Sequence, residues 1–293
     1  MTTEALERPA VWVNGDRQRL SDAHVSALDR GLTLADGVFE TMRIRAGSPF
    51  RIDRHLERLS RGLAALEISE PGELREWVVG ATHAAGPRDA ALRVTVTRGA
   101  GPAGVFPDTE RVVRPTVIVV VSDLPPFPPR IYEQGLSAHV VSGRRNERAV
   151  TAGLKTLSYT DTVVGLLEAR RAGADEALFL DMEEHCSEAS ASNLFALIDG
   201  ALVTPPITCG ALPGITRAAL IELATSQRIA LSERPFGVEE LLGASEAFLT
   251  SSLRAVAPLV HLGRRPLGDG AVGPVTRCLV EAYAALVERE CFA

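Results

Sequence analysis

A proline-rich stretch in the middle of the chain restricts the fold more than any other feature. Ser122-Asp-Leu-Pro-Pro-Phe-Pro-Pro129 carries four prolines in eight residues. Proline fixes φ and lacks the backbone N–H, so neither a helix nor a central strand can continue through this segment. Such a segment acts as a semi-rigid spacer. We therefore expect an N-terminal α/β domain over residues 1–121, a linker over residues 122–130 and a C-terminal domain over residues 131–293.

The residue pattern before the linker predicts both strands and helices. Strict alternation of apolar and polar residues, an Asn-Gly pair and helical spacing of leucines are each diagnostic of one element. The predicted elements are a strand from Val11 that enters an Asn14-Gly15 turn, an amphipathic helix through Ile52, Leu56, Leu59, Leu63 and Leu66, a strand over residues 91–98 with Arg93, Thr95 and Thr97 on its polar face, and a central strand over residues 116–121.

The pattern after the linker is also mixed, which predicts an α/β (α+β) architecture for the whole chain. The predicted elements are a helix over residues 159–171 with apolar Val163, Val164, Leu166 and Leu167, a strand over residues 176–181, a hairpin over residues 193–204 with its turn at Asp199-Gly200, a helix that opens at residues 212–217, a short strand through Phe248 and Leu249, and a C-terminal helix through Leu279, Tyr283 and Leu286.

Composition narrows the classes of function. The chain has 293 residues and a net charge of -6, which gives no reason to expect a nucleic acid or an anionic membrane as partner. Its apolar runs are only as long as strands, and its first residues lack the apolar core of a signal peptide. The cysteines are widely spaced along the sequence, which is typical of unpaired thiols. Their spacing suggests neither a disulfide framework nor a zinc site. We expect a cytoplasmic protein.

One lysine stands out by its neighbours. Lys155 lies among small and apolar residues in Gly153-Leu-Lys-Thr-Leu-Ser-Tyr159, and Glu188 follows in a run of small residues. A lysine in such surroundings loses its proton more easily than a solvated one, as a Schiff-base lysine must. Taken alone, Lys155 is better explained as a surface lysine at a helix start, so the interpretation depends on other residues.

Other segments supply what a pyridoxal phosphate site requires, namely a carboxylate for the ring nitrogen and donors for the phosphate. Glu188 is the candidate carboxylate. Leu212-Pro-Gly-Ile-Thr216 offers backbone N–H groups at a helix start, where the helix dipole favours an anion. Arg58 could bind phosphate in a bidentate manner, and Ser251 and Ser252 could add hydroxyls. Each of these has an ordinary structural explanation when taken singly. Dinucleotide, P-loop and serine-hydrolase motifs are absent, and the histidines show no metal-ligand spacing.

Blocks of residues along nearly the whole chain carry a family resemblance. They are Arg30-Gly31 with Asp36-Gly-Val-Phe-Glu40, His55-Leu-Glu-Arg-Leu59, Leu154-Lys155, Asp175-Glu-Ala177, Glu188 to Phe195, Thr204-Pro-Pro206, Leu212 to Arg217, and Glu246-Ala-Phe-Leu-Thr250. In this order the blocks resemble the fold-type IV pyridoxal phosphate enzymes, also called class IV aminotransferases. The resemblance implies the two-domain fold of the D-amino-acid aminotransferases and pyridoxal 5'-phosphate as cofactor.

The resemblance also implies a role for each candidate residue. Lys155 would form the Schiff base and move the proton, and Glu188 would hold the pyridine nitrogen. The phosphate would be bound by Arg58, Gly214, Ile215, Thr216, Ser251 and Ser252, with Tyr159 near the phenolic oxygen. Phe39, Thr41, Ala191 and Leu253 would line the substrate pocket, with Arg30 or Arg98 for the substrate carboxylate. The family is typically dimeric, with an active site that the neighbouring subunit helps to close.

Within the family the resemblance leaves several substrates open. The leading hypothesis is an aminotransferase that moves an amino group between an amino acid or amine and a 2-oxo acid. The second is 4-amino-4-deoxychorismate lyase, which Thr41 favours and the missing arginine at Ala103 disfavours. The third is a branched-chain aminotransferase, disfavoured by Thr41 where glycine is usual. A non-catalytic binding protein of the same fold is the alternative outside this class. Glu184 stands where the family has a turn glycine, so its hairpin is expected to be less standard.

Overall fold

A computed structural model describes residues 9–84, 86–102, 104–106 and 114–292. Ala103, which bears on the lyase hypothesis, lies outside the described residues. The chain forms two compact units, of which the first comprises Met1–Pro125, Leu154–Ser158 and Val287–Ala293, and the second Pro126–Gly153 and Tyr159–Leu286. The division after Pro125 falls inside the predicted linker. The first unit also takes in the short segment with Lys155, which the sequence placed in the C-terminal domain.

The first unit is built on a six-stranded antiparallel sheet with strand order β2-β1-β6-β5-β3-β4. Its strands are β1 Ala10–Val13, β2 Asp16–Gln18, β3 Gly37–Arg45, β4 Ser48–Pro49, β5 Ala90–Thr97 and β6 Thr116–Ser122. Its helices are α1 Arg30–Leu34, α2 Ile52–Ala65 and α3 Leu74–Ala84.

Local sequence signals explain the main elements of this unit. Asn14 and Gly15 both have positive φ, 51° and 87°, as the turn between β1 and β2 requires. The predicted amphipathic helix is α2, and its leucines pack in one core with alternate residues of the strands, for example Met42 and Leu92. The alternation in β3 therefore turns Phe39 and Thr41 to the face of the sheet opposite this core.

The second unit is built on a larger mixed sheet. Its strands are β7 Leu136–Arg145, β8 Glu176–Asp181, β9 Cys186–Ala189, β10 Asn193–Ile198, β11 Ala201–Thr204, β12 Leu231–Glu233, β13 Glu246–Ser251, β14 Ala255–Leu262 and β15 Arg265–Pro266. The α-helices that follow in chain order after those of the first unit are α4 Arg130–Glu133, α5 Thr160–Arg171, α6 Ile215–Ser226, α7 Val238–Leu242 and α8 Pro274–Phe292, and a 3-10 turn spans Ile207–Cys209.

Strand pairing in this sheet closes on itself. The order is β12-β11-β10-β13-β14-β7-β8-β9, and β9 pairs back to β10 through Glu188 and Asn193. The pairs β14–β7, β7–β8 and β11–β12 are parallel, and the other pairs are antiparallel. The predicted hairpin has its turn at Asp199 and Gly200, both with positive φ. Closure leaves Glu188 on a short strand held from both sides.

Helix α5 presents an unexpected face to the protein. Its buried residues are the small ones, Thr162, Gly165 and Ala169, and a Cβ on Gly165 would collide with the ring of Phe179. The predicted apolar residues lie outside, with Val163 and its neighbours between 37% and 53% exposed. The close approach of α5 to β8 selects small residues, which leaves the large apolar ones on the surface. In the described part of the chain, no helix is both long and apolar enough to span a membrane.

Candidate active site

The segment that carries Lys155 is fastened to the edge of strand β3. The backbone N–H of Phe39 donates to the Lys155 carbonyl at 3.0 Å, and the N–H of Leu157 donates to the Gly37 carbonyl at 3.0 Å. A Cβ at Gly37 would lie 2.5 Å from the Val96 carbonyl oxygen, so glycine is required here. These bonds continue the β-ladder and fix the position of the lysine backbone.

The ammonium group of Lys155 lies against an aromatic ring of the same unit. Its Nζ is 4.4 Å from the centroid of the Phe39 ring, within the range of a cation–π contact. The structure thus brings together two residues that the sequence assigned to the site from segments far apart in the chain. Thr41 follows Phe39 on the same face of β3 and is half-buried.

Arg93 is a candidate that the sequence alone does not indicate. Its guanidinium carbon lies 3.7 Å from the centroid of the Phe39 ring, and its Nε donates to Thr95 Oγ1 at 3.2 Å. In the register of β3 and β5, Thr41 stands opposite Arg93. The alternation of β5 had placed Arg93 on the polar face, but only the pairing of β5 with β3 shows that this face contains Phe39 and Thr41.

Arg58 belongs to a buried charge cluster beneath the sheet. Its Nε and Nη2 donate to the two carboxylate oxygens of Glu40 at 2.6 and 2.8 Å, and His55 Nδ1 lies 2.7 Å from Glu40 Oε2. Burial raises the pKa of Glu40, but the hydrogen bonds and charges of Arg58 and His55 outweigh it and hold the pKa at about 2. Burial lowers the pKa of His55, opposed by Glu40. The cluster therefore holds the guanidinium of Arg58 in a fixed orientation; its contact with phosphate stays a prediction.

Arg30 and Arg98 converge on one carboxylate. Asp36 accepts from Arg30 Nε at 2.9 Å and from Arg98 Nε at 2.7 Å. Arg30 also donates to the carbonyls of Gly104 and Val105, and Arg98 to those of Leu66 and Glu67. The structure places both arginines in bonds that hold loops together.

Glu188 is held by groups of the second unit. Its Oε2 accepts from the Leu212 N–H at 2.9 Å and from Asn193 Nδ2 at 3.3 Å, and its Oε1 lies 3.5 Å from Arg145 Nε. Asn193 Nδ2 also donates to the Leu212 carbonyl at 2.8 Å. The carboxylate is thus oriented by one backbone group and two side chains, and its side chain is only 14% exposed.

The start of α6 lies next to the same asparagine. Gly214 is the N-cap, with φ of -67° and no side-chain cap. A Cβ on Gly214 would collide with Asn193 Oδ1, so glycine is required here by space rather than by φ. Thr216 is buried, and its Oγ1 lies 3.4 Å from the hydroxyl of Tyr283. The first N–H groups of a helix lack partners within the helix, and here Ile215 and Thr216 supply them.

A row of polar side chains crosses three strands at this point. Strand register places Glu188 opposite Asn193, and Asn193 opposite Thr250, so all three point to one face. The Oγ1 of Thr250 is buried and has no hydrogen-bond partner among the described residues. The sequence pattern indicates the following serines but not Thr250. The signal available was the alternation of β13, which puts Thr250 on the face opposite Ser251.

The remaining candidates lie in loops of the second unit. Ser251 ends β13, and its Oγ accepts from the Arg254 N–H at 3.3 Å. Ser252 and Leu253 follow in the turn and are half-buried. Tyr159 immediately precedes α5 and is half-buried, whereas Ala191 is exposed in the turn between β9 and β10.

Comparisons with known proteins identify the family. Residues 37–262 match the family model described as amino-transferase class IV. The chain is 33% identical over 277 residues to a Methanocaldococcus jannaschii protein provisionally named a branched-chain-amino-acid aminotransferase, covering 93% of this chain and 94% of the other. The chain belongs to the class IV aminotransferases.

Solved structures support the same assignment. The branched-chain amino acid aminotransferase of Escherichia coli superposes with a TM-score of 0.89 at 29% identity, covering 97% of this chain and 96% of the other. The 4-amino-4-deoxychorismate lyase of Pseudomonas aeruginosa superposes with a TM-score of 0.82 at 34% identity, covering 93% and 97%. The expected fold-type IV architecture is therefore confirmed, and so is the expectation of a pyridoxal phosphate-dependent transaminase.

Class IV aminotransferases use pyridoxal 5'-phosphate, and the residues of this chain fit that cofactor. Helix α6 opens with Gly214, where steric contact requires glycine. A glycine at this position also lets a phosphate approach the backbone N–H groups closely. The buried hydroxyl of Thr250 lies on the same face as Glu188, within a polar row. A carboxylate oriented by an amide and a backbone N–H suits a protonated ring nitrogen.

Proposed function

We propose that this aminotransferase moves an amino group between an amino acid with an apolar, branched side chain and 2-oxoglutarate. The observation that carries the proposal is the Phe39 ring, which contacts Lys155 Nζ at 4.4 Å and the Arg93 guanidinium at 3.7 Å. An aromatic wall favours an apolar side chain, and an arginine on the same sheet face favours the second carboxylate of 2-oxoglutarate. The names of the similar branched-chain aminotransferases support the same donor class.

Lys155 is proposed to carry the cofactor and to move the proton at the substrate Cα. When bound, pyridoxal phosphate accepts the electron pair that the Cα–H bond releases. Two backbone hydrogen bonds fix the Lys155 segment on β3, which limits the motion of the lysine to its side chain. The contact with Phe39 keeps one side of the lysine nitrogen away from water.

Glu188 is proposed to hold the cofactor's ring nitrogen in its protonated form. Its carboxylate is kept in place by Leu212 and Asn193. The phosphate is proposed to bind at Gly214, Ile215 and Thr216, with help from Arg58, Ser251 and Ser252 and with Tyr159 near the phenolic oxygen. Phe39, Thr41, Ala191 and Leu253 are proposed to line the substrate pocket. Arg30 and Arg98 hold loops, so Arg93 replaces them in this proposal as the carboxylate-binding residue.

Substitution of Lys155 tests its assignment. Lys155→Ala is expected to abolish amino transfer and to remove the cofactor's visible absorption from the purified protein. Arg54→Ala, at an arginine whose side chain is 66% exposed on α2, serves as control and is expected to retain both. An unchanged absorption spectrum in Lys155→Ala would refute the assignment of this lysine.

A lyase is the second candidate, because the structure of the Pseudomonas aeruginosa lyase has the higher identity of the two solved structures compared, 34% against 29%. The deciding assay incubates the enzyme with L- or D-amino acids plus 2-oxoglutarate and, separately, with aminodeoxychorismate. We expect glutamate from leucine, isoleucine or valine. Pyruvate and p-aminobenzoate from aminodeoxychorismate, without any amino transfer, would refute our proposal.

Substitution of Arg93 tests the carboxylate assignment. Arg93→Gln is expected to raise KM for 2-oxoglutarate by at least about 10-fold, since it removes a charge-assisted contact. KM for an apolar 2-oxo acid such as 4-methyl-2-oxopentanoate is expected to change far less. Equal effects on both acceptors would contradict the role of Arg93.

We propose further that the enzyme is a homodimer whose contact surface includes α5. Val163, Val164 and Leu167 are 53%, 53% and 50% exposed, which is unusual for large apolar side chains so close together. A concave region of about 480 Å³ adjoins them, lined by Val163, Leu166, Leu167, Arg170, Ala174 and Asp175. The family resemblance adds that the neighbouring subunit helps to close the active site.

Light scattering after size exclusion tests the dimer. Leu167→Glu is expected to shift the protein toward a monomer, because it buries a charge in the contact. Val150→Glu, at a valine that is 100% exposed outside α5, is the control and is expected to leave the mass unchanged. A monomeric wild-type protein, or a dimer unaffected by Leu167→Glu, would contradict the proposal.

A further inference from the structure

Three different metal-ligating side chains meet where the turn between β8 and β9 reaches the 3-10 turn of residues 207–209. They are Asp181, His185 and Cys209, and one ligand atom from each lies within 4.8 Å of the others. Asp181 and Cys209 are buried, and the side chain of His185 is 36% exposed. All three belong to the second unit. None was selected from the sequence, because Cys209 is distant in the chain.

The turn itself fixes two of these ligands. Asp181 Oδ1 accepts from the N–H groups of Glu183 at 2.9 Å and His185 at 2.8 Å. Its other oxygen, Oδ2, is thereby directed toward His185 Nδ1, at 3.3 Å. Glu184 adopts a positive φ of 65° to complete this turn. The aspartate and histidine are thus prearranged by backbone geometry.

The spacing suits a tetrahedral zinc ion. Zinc binds carboxylate oxygen and imidazole nitrogen at about 2.0–2.2 Å and thiolate sulfur at about 2.3 Å, which sets neighbouring ligand atoms about 3.3–3.8 Å apart. The separation of 3.3 Å between His185 Nδ1 and Asp181 Oδ2 already has this length. The upper limit of 4.8 Å for the other pairs requires a shift of about 1.5 Å at most.

The charge around Cys209 favours a cation. Cys209 is buried, and the carboxylates of Asp181, Glu147 and Glu183 lie close enough to act on it electrostatically. Glu147 Oε1 is buried without a hydrogen-bond partner among the described residues, and it lies 3.3 Å from Arg148 Nε in an ion pair. A divalent ion would neutralise the charge of one carboxylate and one thiolate.

We propose that Asp181, His185 and Cys209 bind a zinc ion that is separate from the cofactor and stabilises the fold. The neutral imidazole of His185, the Asp181 carboxylate and the Cys209 thiolate would be the ligands, with water in the fourth position. The thiol proton is released to solvent on binding, so the site is electrically balanced. The ion would tie the hairpin that continues into Glu188 to the segment that continues into Leu212.

Metal analysis of the untagged holoenzyme tests the proposal. After dialysis against buffer with zinc and then without it, we expect about one zinc per chain by elemental mass spectrometry. Cobalt substitution is expected to give the intense visible bands of a tetrahedral site and a thiolate charge-transfer band. His185→Gln and Cys209→Ser are each expected to weaken zinc binding by at least about 10-fold and to alter the cobalt spectrum.

The controls match the ligands in chemistry. His139→Gln replaces a histidine that is 34% exposed, against 36% for His185, and Cys278→Ser replaces an exposed cysteine. Both are expected to bind zinc as the wild type does. If Cys209→Ser fails to fold, His185→Gln decides alone, because its ring is partly in solvent. A wild type that retains no zinc, or His185→Gln with unchanged zinc affinity, overturns the proposal.

Discussion

Replacement of Glu40 by glutamine probes the buried charge cluster of the first unit. Glu40 is fully buried and binds both Arg58 and His55. Its pKa of about 2, against 4.5 for a free glutamate, corresponds to about 3 kcal/mol of stability at neutral pH. Removal of one partner from a buried ion pair costs about 3–5 kcal/mol in general. We therefore expect Glu40→Gln to lower the free energy of unfolding by about 3 kcal/mol at pH 7.

The pH dependence gives this prediction its sharper form. A depressed pKa means that the unfolded state binds the proton more readily, so the contribution of Glu40 is present above pH 4.5 and is lost as pH falls toward about 2. Urea unfolding of wild type and Glu40→Gln between pH 7 and 3 should show a difference that shrinks below pH 4.5. Glu57→Gln, at a 62% exposed residue of helix α2, is the control, with an expected effect below about 0.5 kcal/mol. A difference under 1 kcal/mol at pH 7, or one that does not change with pH, would refute the reasoning.

Three further substitutions test other parts of the structure. Gly214→Ala is expected to weaken binding of pyridoxal phosphate at least about 10-fold in a spectrophotometric titration, because the new methyl group displaces Asn193. Gly237→Ala is the control, since this N-cap glycine has open space around it, and it should leave binding unchanged. Arg98→Lys is expected to lower the free energy of unfolding in urea by about 2 kcal/mol with little change in KM, because it breaks hydrogen bonds to Asp36 and to two backbone carbonyls. A raised KM with normal stability would contradict this. Glu246→Gln is expected to lower the free energy of unfolding in urea by about 2 kcal/mol, since Glu246 accepts hydrogen bonds from two N–H groups at the start of α8. Glu281→Gln, at an exposed residue of α8, is the control and should leave the free energy of unfolding unchanged.

Much of the local structure follows from short-range signals in the sequence. The Asn14-Gly15 and Asp199-Gly200 turns and the amphipathic helix α2 lie where the residue pattern predicts them. Each of these depends on neighbours a few residues away, so a single sequence contains the needed information. Lys155 and Glu188 could be predicted as site residues because the blocks around them occur in the same order as in the class IV aminotransferases.

Long-range pairing explains what the sequence could not supply. Arg93 became a candidate only because β5 pairs with β3, and the buried position of Glu40 follows from packing of α2 on the sheet. The outward face of α5 was unforeseen because an apolar residue fits a buried surface and a contact between subunits equally well. The same holds for Asp181 and Cys209, whose proximity depends on two separate turns.

The ladder between Lys155 and β3 has a consequence for synthesis of the protein on the ribosome. Every strand of the first sheet ends at or before Ser122, so that sheet can assemble before Lys155 has been made. Until then the edge of β3 at Gly37 and Phe39 lacks the partner that later covers it. An open strand edge readily pairs with another chain. Translation that pauses between the linker and Lys155 should therefore expose a nascent chain to aggregation, and arrival of the segment that contains Lys155 should end that exposure.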